Sequence, residues 1–168
     1  MYKNQIKLLS VRILLLCLIL TNLFVIFRLS LQNATESGTT SGRISDAVAS
    51  VVIEDYKEKN DTEKLEIRNR LDPTVRKLAH MAEFGTLGAL VFLLLLTWKW
   101  ILWLQYLLSL GTTLAVACID ELLQNLSEGR AMQLTDLVTD LLGGIVFCSI
   151  VFAIVCLIRR SKRHSGGA

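Results

Sequence analysis

One proline and ten glycines occur in 168 residues, and no internal repeat is visible. That excludes a collagen-like rod and a repeat array. The four cysteines, Cys17, Cys118, Cys148 and Cys156, each fall inside an apolar run. They form no Cys-x-x-Cys pair and have no histidine at ligand spacing, so a disulfide framework and thiolate metal binding are both disfavoured. The plain reading is small apolar filler. There is no His-Glu-x-x-His, no phosphate-cradling glycine loop, and no serine or cysteine nucleophile beside an obvious base. The net charge is only +3, and the basic residues form no continuous patch, which argues against a nucleic-acid binder.

What the sequence does have is apolar residue: 52% of the chain, with a mean hydropathy of +0.50. A soluble or disordered chain of this length rarely reads that way. Charged residues still make up 20%, but they are segregated into residues 31–77 and the C-terminal tail. A bilayer imposes that separation, because a charge at mid-membrane costs several kcal/mol unless it snorkels. The expected fold is all-α: one integral membrane domain over 1–168, built from four transmembrane helices. The spans are expected at about 8–29, 73–98, 101–124 and 134–158. Each can cross a hydrocarbon core of roughly 30 Å at about 1.5 Å per residue. The first lacks a clear small-x-small cleavage site and reads as an uncleaved span. Pro73 after Asp72 suits the first turn of the second.

Lys and Arg set the orientation. Lys3, Lys7 and Arg12 precede or open the first span, Lys99 lies between the second and third, and Arg159, Arg160, Lys162 and Arg163 follow the fourth. Both termini are therefore expected in the cytoplasm, with 31–72 outside as a short amphipathic extracytoplasmic segment. Trp98, Trp100 and Trp103 mark the inner edge as an aromatic belt. In the outer segment, 33–42 reads as a Ser/Thr/Gly-rich loop. Ile44, Val48, Val51 and Val52 then recur at helical spacing, with Ser41 as a candidate cap. Leu71, Val75 and Leu78 continue a second stripe. One or two short amphipathic helices across the outer mouth are expected, or merely a solvated connection. Asn33, Asn60 and Asn125 begin glycosylation sequons, which also arise by chance.

The remaining charges fall at one level. Arg76, His80 and Glu83 share a helix face, with Lys77 adjacent. Asp120 and Gln124 are i, i+4, with Glu121 beside them. Asp136 and Asp140 are i, i+4, preceded by Arg130 and Gln133 and followed by Gly143 and Gly144. Counted from the cytoplasmic helix ends, His80, Asp120 and Asp140 lie about 27, 30 and 27 Å up. Buried carboxylates there need partners. Each residue has a bland reading: Arg76 and Lys77 as headgroup anchors, His80 as a structural hydrogen bonder, and Glu83, Asp136 and Asp140 facing a wet loop. The two glycines would serve close helix packing. Five carboxylates around one histidine and two or three cations exceed what helix docking needs, so an interhelical polar site is expected.

These residues resemble the VanZ-like family of bacterial membrane proteins. The shared pattern is Arg76-Lys77-x-x-His80-x-x-Glu83-Phe84-x-x-Leu87-Gly88, then Asp120-Glu121-x-x-Gln124, then Gly129-Arg130-x-x-Gln133-x-x-Asp136-x-x-x-Asp140-x-x-Gly143, with Ser30-Leu31-Gln32 ahead of them. The resemblance covers roughly 20–155. Where Asp140 stands, the family usually shows Asn. The resemblance implies a bacterial cytoplasmic-membrane protein associated with resistance to teicoplanin-type glycopeptides, without a settled reaction.

Three functions remain open. The first is a cell-envelope protein whose outer polar cleft binds or modifies a lipid-linked or antibiotic ligand. Arg76, Lys77, His80 and Arg130 would hold a phosphate or carboxylate. Glu83, Asp120, Glu121, Asp136 and Asp140, with Gln124, would orient those cations, bind amines or coordinate a hard cation. The second is a membrane hydrolase or transferase acting on an isoprenoid-phosphate headgroup, with His80, Glu83, Asp120 or Glu121 as candidate acid or base. The third is a transporter or a structural partner of another membrane protein. The sequence assigns no metal site and names no cofactor. The bilayer and a cell-wall precursor or glycopeptide are the expected partners, with no nucleic acid, and oligomeric state is left open.

Overall fold

The structure, a computed structural model, describes residues 2–129 and 133–165. Among them there are five α-helices and no strand: α1 (Tyr2–Ser30), α2 (Ala34–Val52), α3 (Asp61–Leu95), α4 (Leu102–Leu126) and α5 (Leu134–Ser165), with a 3₁₀ turn at Tyr56–Glu58. Four helices are long and apolar enough to cross a membrane, over Lys3–Ser30, Asp61–Leu95, Leu102–Leu126 and Leu134–Lys162. Their outward faces carry large apolar side chains such as Leu14, Leu20, Phe24, Leu107 and Ile150. In water such a surface would drive aggregation; in a bilayer it is the solvent-matched face. The fold is a helical membrane bundle.

The interior is the more polar side. On α4, Gln105, Ser109, Thr113, Ala117, Asp120, Glu121 and Gln124 form one buried stripe at helical spacing. Lipid supplies no hydrophobic drive between helices, so small and polar residues set the contact. Gln105 donates through Nε2 to the carbonyls of Leu95 (2.8 Å) and Trp98 (3.0 Å), satisfying the end of α3. At this same end Arg12 donates to the Thr97 side chain at 2.9 Å and lies 4.2 Å over the Trp98 ring, so the first span is pinned to the α3–α4 connection.

Close approach of α3 and α5 depends on glycine. A Cβ on Gly143 would stand 2.2 Å from the Met81 carbonyl oxygen, and one on Gly88 would stand 2.9 Å from Thr113 Oγ1 and 3.0 Å from Cys148 Sγ. Neither position has room for a side chain, so the two backbones meet almost directly. That contact sets the distance between anything α3 and α5 present just beyond it.

Helix starts differ from the sequence-based expectation in two places. The second span does not begin at Pro73. Asn60 and Glu63 form a capping box, and α3 runs unbroken from Asp61, with Pro73 inside it. Proline removes one backbone donor there, and the flanking turns hold the helix regardless. Residues 34–42 are helix rather than loop. Asn33 and Glu36 form a second capping box, so the cap is Asn33 and Ser41 lies inside α2. Packing overrides the poor helix propensity of this Ser/Thr/Gly stretch. Ser41 and Ser45 each donate to the Asp72 carboxylate at 3.0 Å, and Gly42 lets the Arg68 side chain lie against the helix. Both Asn33 and Asn60, read as sequon starts, spend their side chains on these caps. The second apolar stripe is also partial, because Val75 is buried but Leu78 is exposed.

Candidate functional site

Four elements converge at the α2 end of the bundle. Ser30 ends α1, Ser37 to Ile44 lie on α2, Val75 to Glu83 on α3, and Asp120 to Gln124 near the end of α4. Together they line a cavity of about 70 Å³, walled by Ile26, Ile44 and Val75 on its apolar side and by Arg76, His80, Glu83 and Asp120 on its polar side. The start of α2 is tied across the mouth, because the Ala34 N–H donates to the Glu128 carbonyl at 3.1 Å.

Asp120 is 1% exposed and is held from two sides. The Ser30 hydroxyl donates to its Oδ1, and Gln124 donates to its Oδ2 at 2.5 Å. Ser30 is itself fixed, since its carbonyl accepts from the Ser127 hydroxyl at 3.0 Å. Asp140, on α5, is fully buried, and neither of its oxygens has a hydrogen-bond partner. Beside it stands the His80 imidazole, with Nδ1 3.4 Å from Oδ1. That is ion-pair range but too long for a good hydrogen bond, and Nδ1 is also unpartnered. The His80 ring stacks on Phe84 with an interplanar angle of 6°. Glu83 lines the same cavity within electrostatic reach of His80, Asp120 and Asp140. Arg76 donates to the Ser37 hydroxyl at 3.3 Å, which places the guanidinium at the α2–α3 seam of the cavity.

The expected residues do not all meet. Arg76, His80, Glu83, Asp120 and Gln124 line the cavity, and Asp140 lies against His80 beneath it. Glu121 is buried but turned elsewhere: its Oε2 accepts the Gln133 backbone N–H at 2.8 Å, anchoring the approach to α5. Asp136 is half-buried and takes a 3.4 Å contact from the neighbouring Thr135 hydroxyl. Lys77 is exposed and does not line the cavity. Adjacent residues on a helix point about 100° apart, and here that step leaves Lys77 exposed while Arg76 lines the cavity. Arg130 lies outside the described residues. The family described as VanZ/LLP1 matches residues 13–157, a span that contains every one of these positions.

This chain belongs to the VanZ/LLP1 family.

No curated protein and no solved structure matches the chain. Reasoning from residues alone missed part of this VanZ/LLP1 site. Ser30 was visible only within the family pattern, yet it orients Asp120. Ser37, Thr40 and Ser41 line the cavity from a segment that reads as loop. A signal existed for them: Asn33-x-x-Glu36 is a capping-box spacing, and it would have started α2 early enough to bring those residues across the site.

Proposed function

We propose that this chain is a multi-pass protein of the bacterial cytoplasmic membrane, with both termini cytoplasmic, that binds the headgroup of a lipid-linked cell-wall precursor at its outer face. The observation that carries the reading is the cavity, where an apolar wall of Ile26, Leu29, Ile44 and Val75 meets the Arg76 guanidinium. An isoprenoid phosphate has that same division. Arg is suited to phosphate through its fixed fork of donors. Size favours the first of the two expected ligands. About 70 Å³ is small beside the roughly 300–1,000 Å³ of sites that enclose drug-sized molecules. That volume supports a headgroup as the ligand over an enclosed glycopeptide. Reduced susceptibility to teicoplanin-type glycopeptides, the phenotype the resemblance implies, would then come from holding or altering the precursor and not from capturing the drug. The orientation rests on Lys3, Lys7, Lys99, Arg159 and Arg160, all at the opposite end from the cavity.

The test is binding of an isoprenoid phosphate to the purified full-length chain in detergent, read by native mass spectrometry. Arg76→Ala should weaken it about tenfold, the scale of one charge-assisted hydrogen bond. Equal binding by the wild-type and Arg76→Ala chains would sink the reading. A second reading, a hydrolase or transferase acting on the same headgroup, is favoured by the His80–Asp140 pair, where a carboxylate backs an imidazole. Turnover of the isoprenoid phosphate by purified protein, lost in His80→Ala, would decide for it.

A further inference from the structure

We infer that His80, Asp120 and Asp140 bind one divalent cation of the first transition row, with the manganese and zinc ions as the fitting sizes and charges. The three residues come from three different helices. Their candidate donor atoms, an imidazole nitrogen and two carboxylate oxygens, lie within 4.8 Å of one another. In a four-coordinate zinc site neighbouring donors stand about 3.3 Å apart, from bond lengths of about 2.0–2.1 Å. The Asp140 carboxylate, which no hydrogen bond holds, is the group that would turn to close the difference.

Three observations separate this from an ordinary ion pair. The first is saturation. Both Asp140 oxygens and His80 Nδ1 are buried without a hydrogen-bond partner, and each of the two residues offers a donor atom to the cluster. A buried unpartnered carboxylate is costly, and a native protein retains one where something else completes it. The second is charge. Asp120, Asp140 and Glu83 gather around one imidazole, and a divalent ion held there would offset that excess of carboxylates. The third is the supporting shell. Asp120 is aimed by the Ser30 hydroxyl and the Gln124 amide, and His80 is stacked on Phe84. Outer partners that fix a ligand's direction are the usual companions of a metal site.

The donor set narrows the metal. Imidazole nitrogen with two carboxylates suits manganese, iron or zinc better than calcium, which takes six to eight oxygens. Three protein donors leave coordination positions open. Because His80 and Asp120 also line the cavity, an ion held there would border it and could polarise a water or an oxyanion. Where the sequence assigns no metal, the meeting of three helices supplies the ligands. This site stands without the headgroup reading, since it needs only the protein and the ion.

The experiment uses the full-length chain, purified in detergent with a histidine-free affinity tag and stripped with chelator. It is then loaded separately with Mn²⁺, Zn²⁺ or Co²⁺ and passed over a desalting column. The expected result is about one equivalent retained per chain by elemental analysis, with a raised thermal midpoint and, for Co²⁺, a visible absorption band. Asp140→Asn and His80→Gln should each weaken retention at least tenfold and abolish the band. Ser30→Ala keeps all three ligands and should weaken it about 10–100-fold; it serves where a ligand variant fails to fold. Asp46→Asn, on α2, should bind as wild type. The proposal is overturned if the wild-type chain retains no metal, or if His80→Gln, Asp140→Asn and Ser30→Ala all retain it as wild type does. A wild-type chain that retains metal but binds no isoprenoid phosphate would count against the headgroup reading alone.

Discussion

Two polar clusters lie along α3, and they are built on opposite terms. In the first, Asp46 of α2 accepts Nε and Nη2 of Arg68 and, at 2.6 Å, the hydroxyl of Tyr56. Nearby, Ser41 and Ser45 both donate to Asp72. Each of these carboxylates has its partners, and the Asp46–Arg68 pair is about one-third exposed. In the second cluster, about two turns beyond Asp72 along α3, His80 meets Asp140, and the carboxylate is wholly buried with neither oxygen hydrogen-bonded. The first arrangement docks a helix. The second gains nothing for docking that an apolar pair would not give, because desolvating ions usually offsets their attraction. The cluster at the rim is satisfied by its own side chains, whereas the interior one is not, and the proposed ion would complete it.

That contrast can be broken in several ways. The largest effect should come from Gly143→Leu, because the new side chain would occupy the Met81 backbone. Overpacking of at least about 3 kcal/mol is expected, and the variant should lose its monodisperse peak in detergent gel filtration. A well-behaved variant would mean that α3 and α5 are not held that close.

Asp140→Leu should raise the thermal midpoint of metal-free protein, by the equivalent of about 1–3 kcal/mol, since it removes a buried group with unmade hydrogen bonds. A lowered midpoint would place Asp140 with the structural contacts instead.

Asp46→Asn should act in the opposite direction and more weakly. Half-exposed pairs are screened, so a loss of about 1 kcal/mol or less is expected from thermal unfolding. Its pH signature is more diagnostic. The Arg68 hydrogen bond holds the Asp46 carboxyl below its ordinary 3.8, against the upward push of burial. The unfolded chain therefore takes up a proton first as pH falls. The contribution is complete above about pH 5 and is lost as pH drops through 3.8 toward the lower native value. Unfolding midpoints recorded between pH 3 and 6 should show a slope in the wild type that flattens in Asp46→Asn. The smallest effect is expected of Lys77→Gln, which should change neither ligand binding nor stability in the same assays, because Lys77 is exposed and stands off the cavity wall.

Much of this was legible from residue order. Apolar runs bounded by Lys and Arg located the spans, because the cost of burying charge in lipid acts on each segment separately. The i, i+4 and i+7 spacings put Arg76, His80 and Glu83 on one face, and the structure brings all three to the cavity. What was not legible was which neighbours turn inward. Glu121 adjoins Asp120 in sequence and serves the Gln133 backbone instead. Lys77 adjoins Arg76 and faces away from the cavity. A one-residue step on a helix rotates a side chain by about 100°, so the answer depended on where each helix meets its partners.

Composition and charge placement by themselves determined that this chain is a bundle of four apolar helices with ionisable groups gathered at one end. Those features follow from transfer energies that belong to each residue wherever it sits. Only tertiary structure decided that Asp140 would meet His80 at 3.4 Å while Asp120 was claimed by Ser30 and Gln124. The His80–Asp140 meeting depends on how closely α3 and α5 approach at Gly143, a distance between segments some sixty residues apart that no local preference encodes.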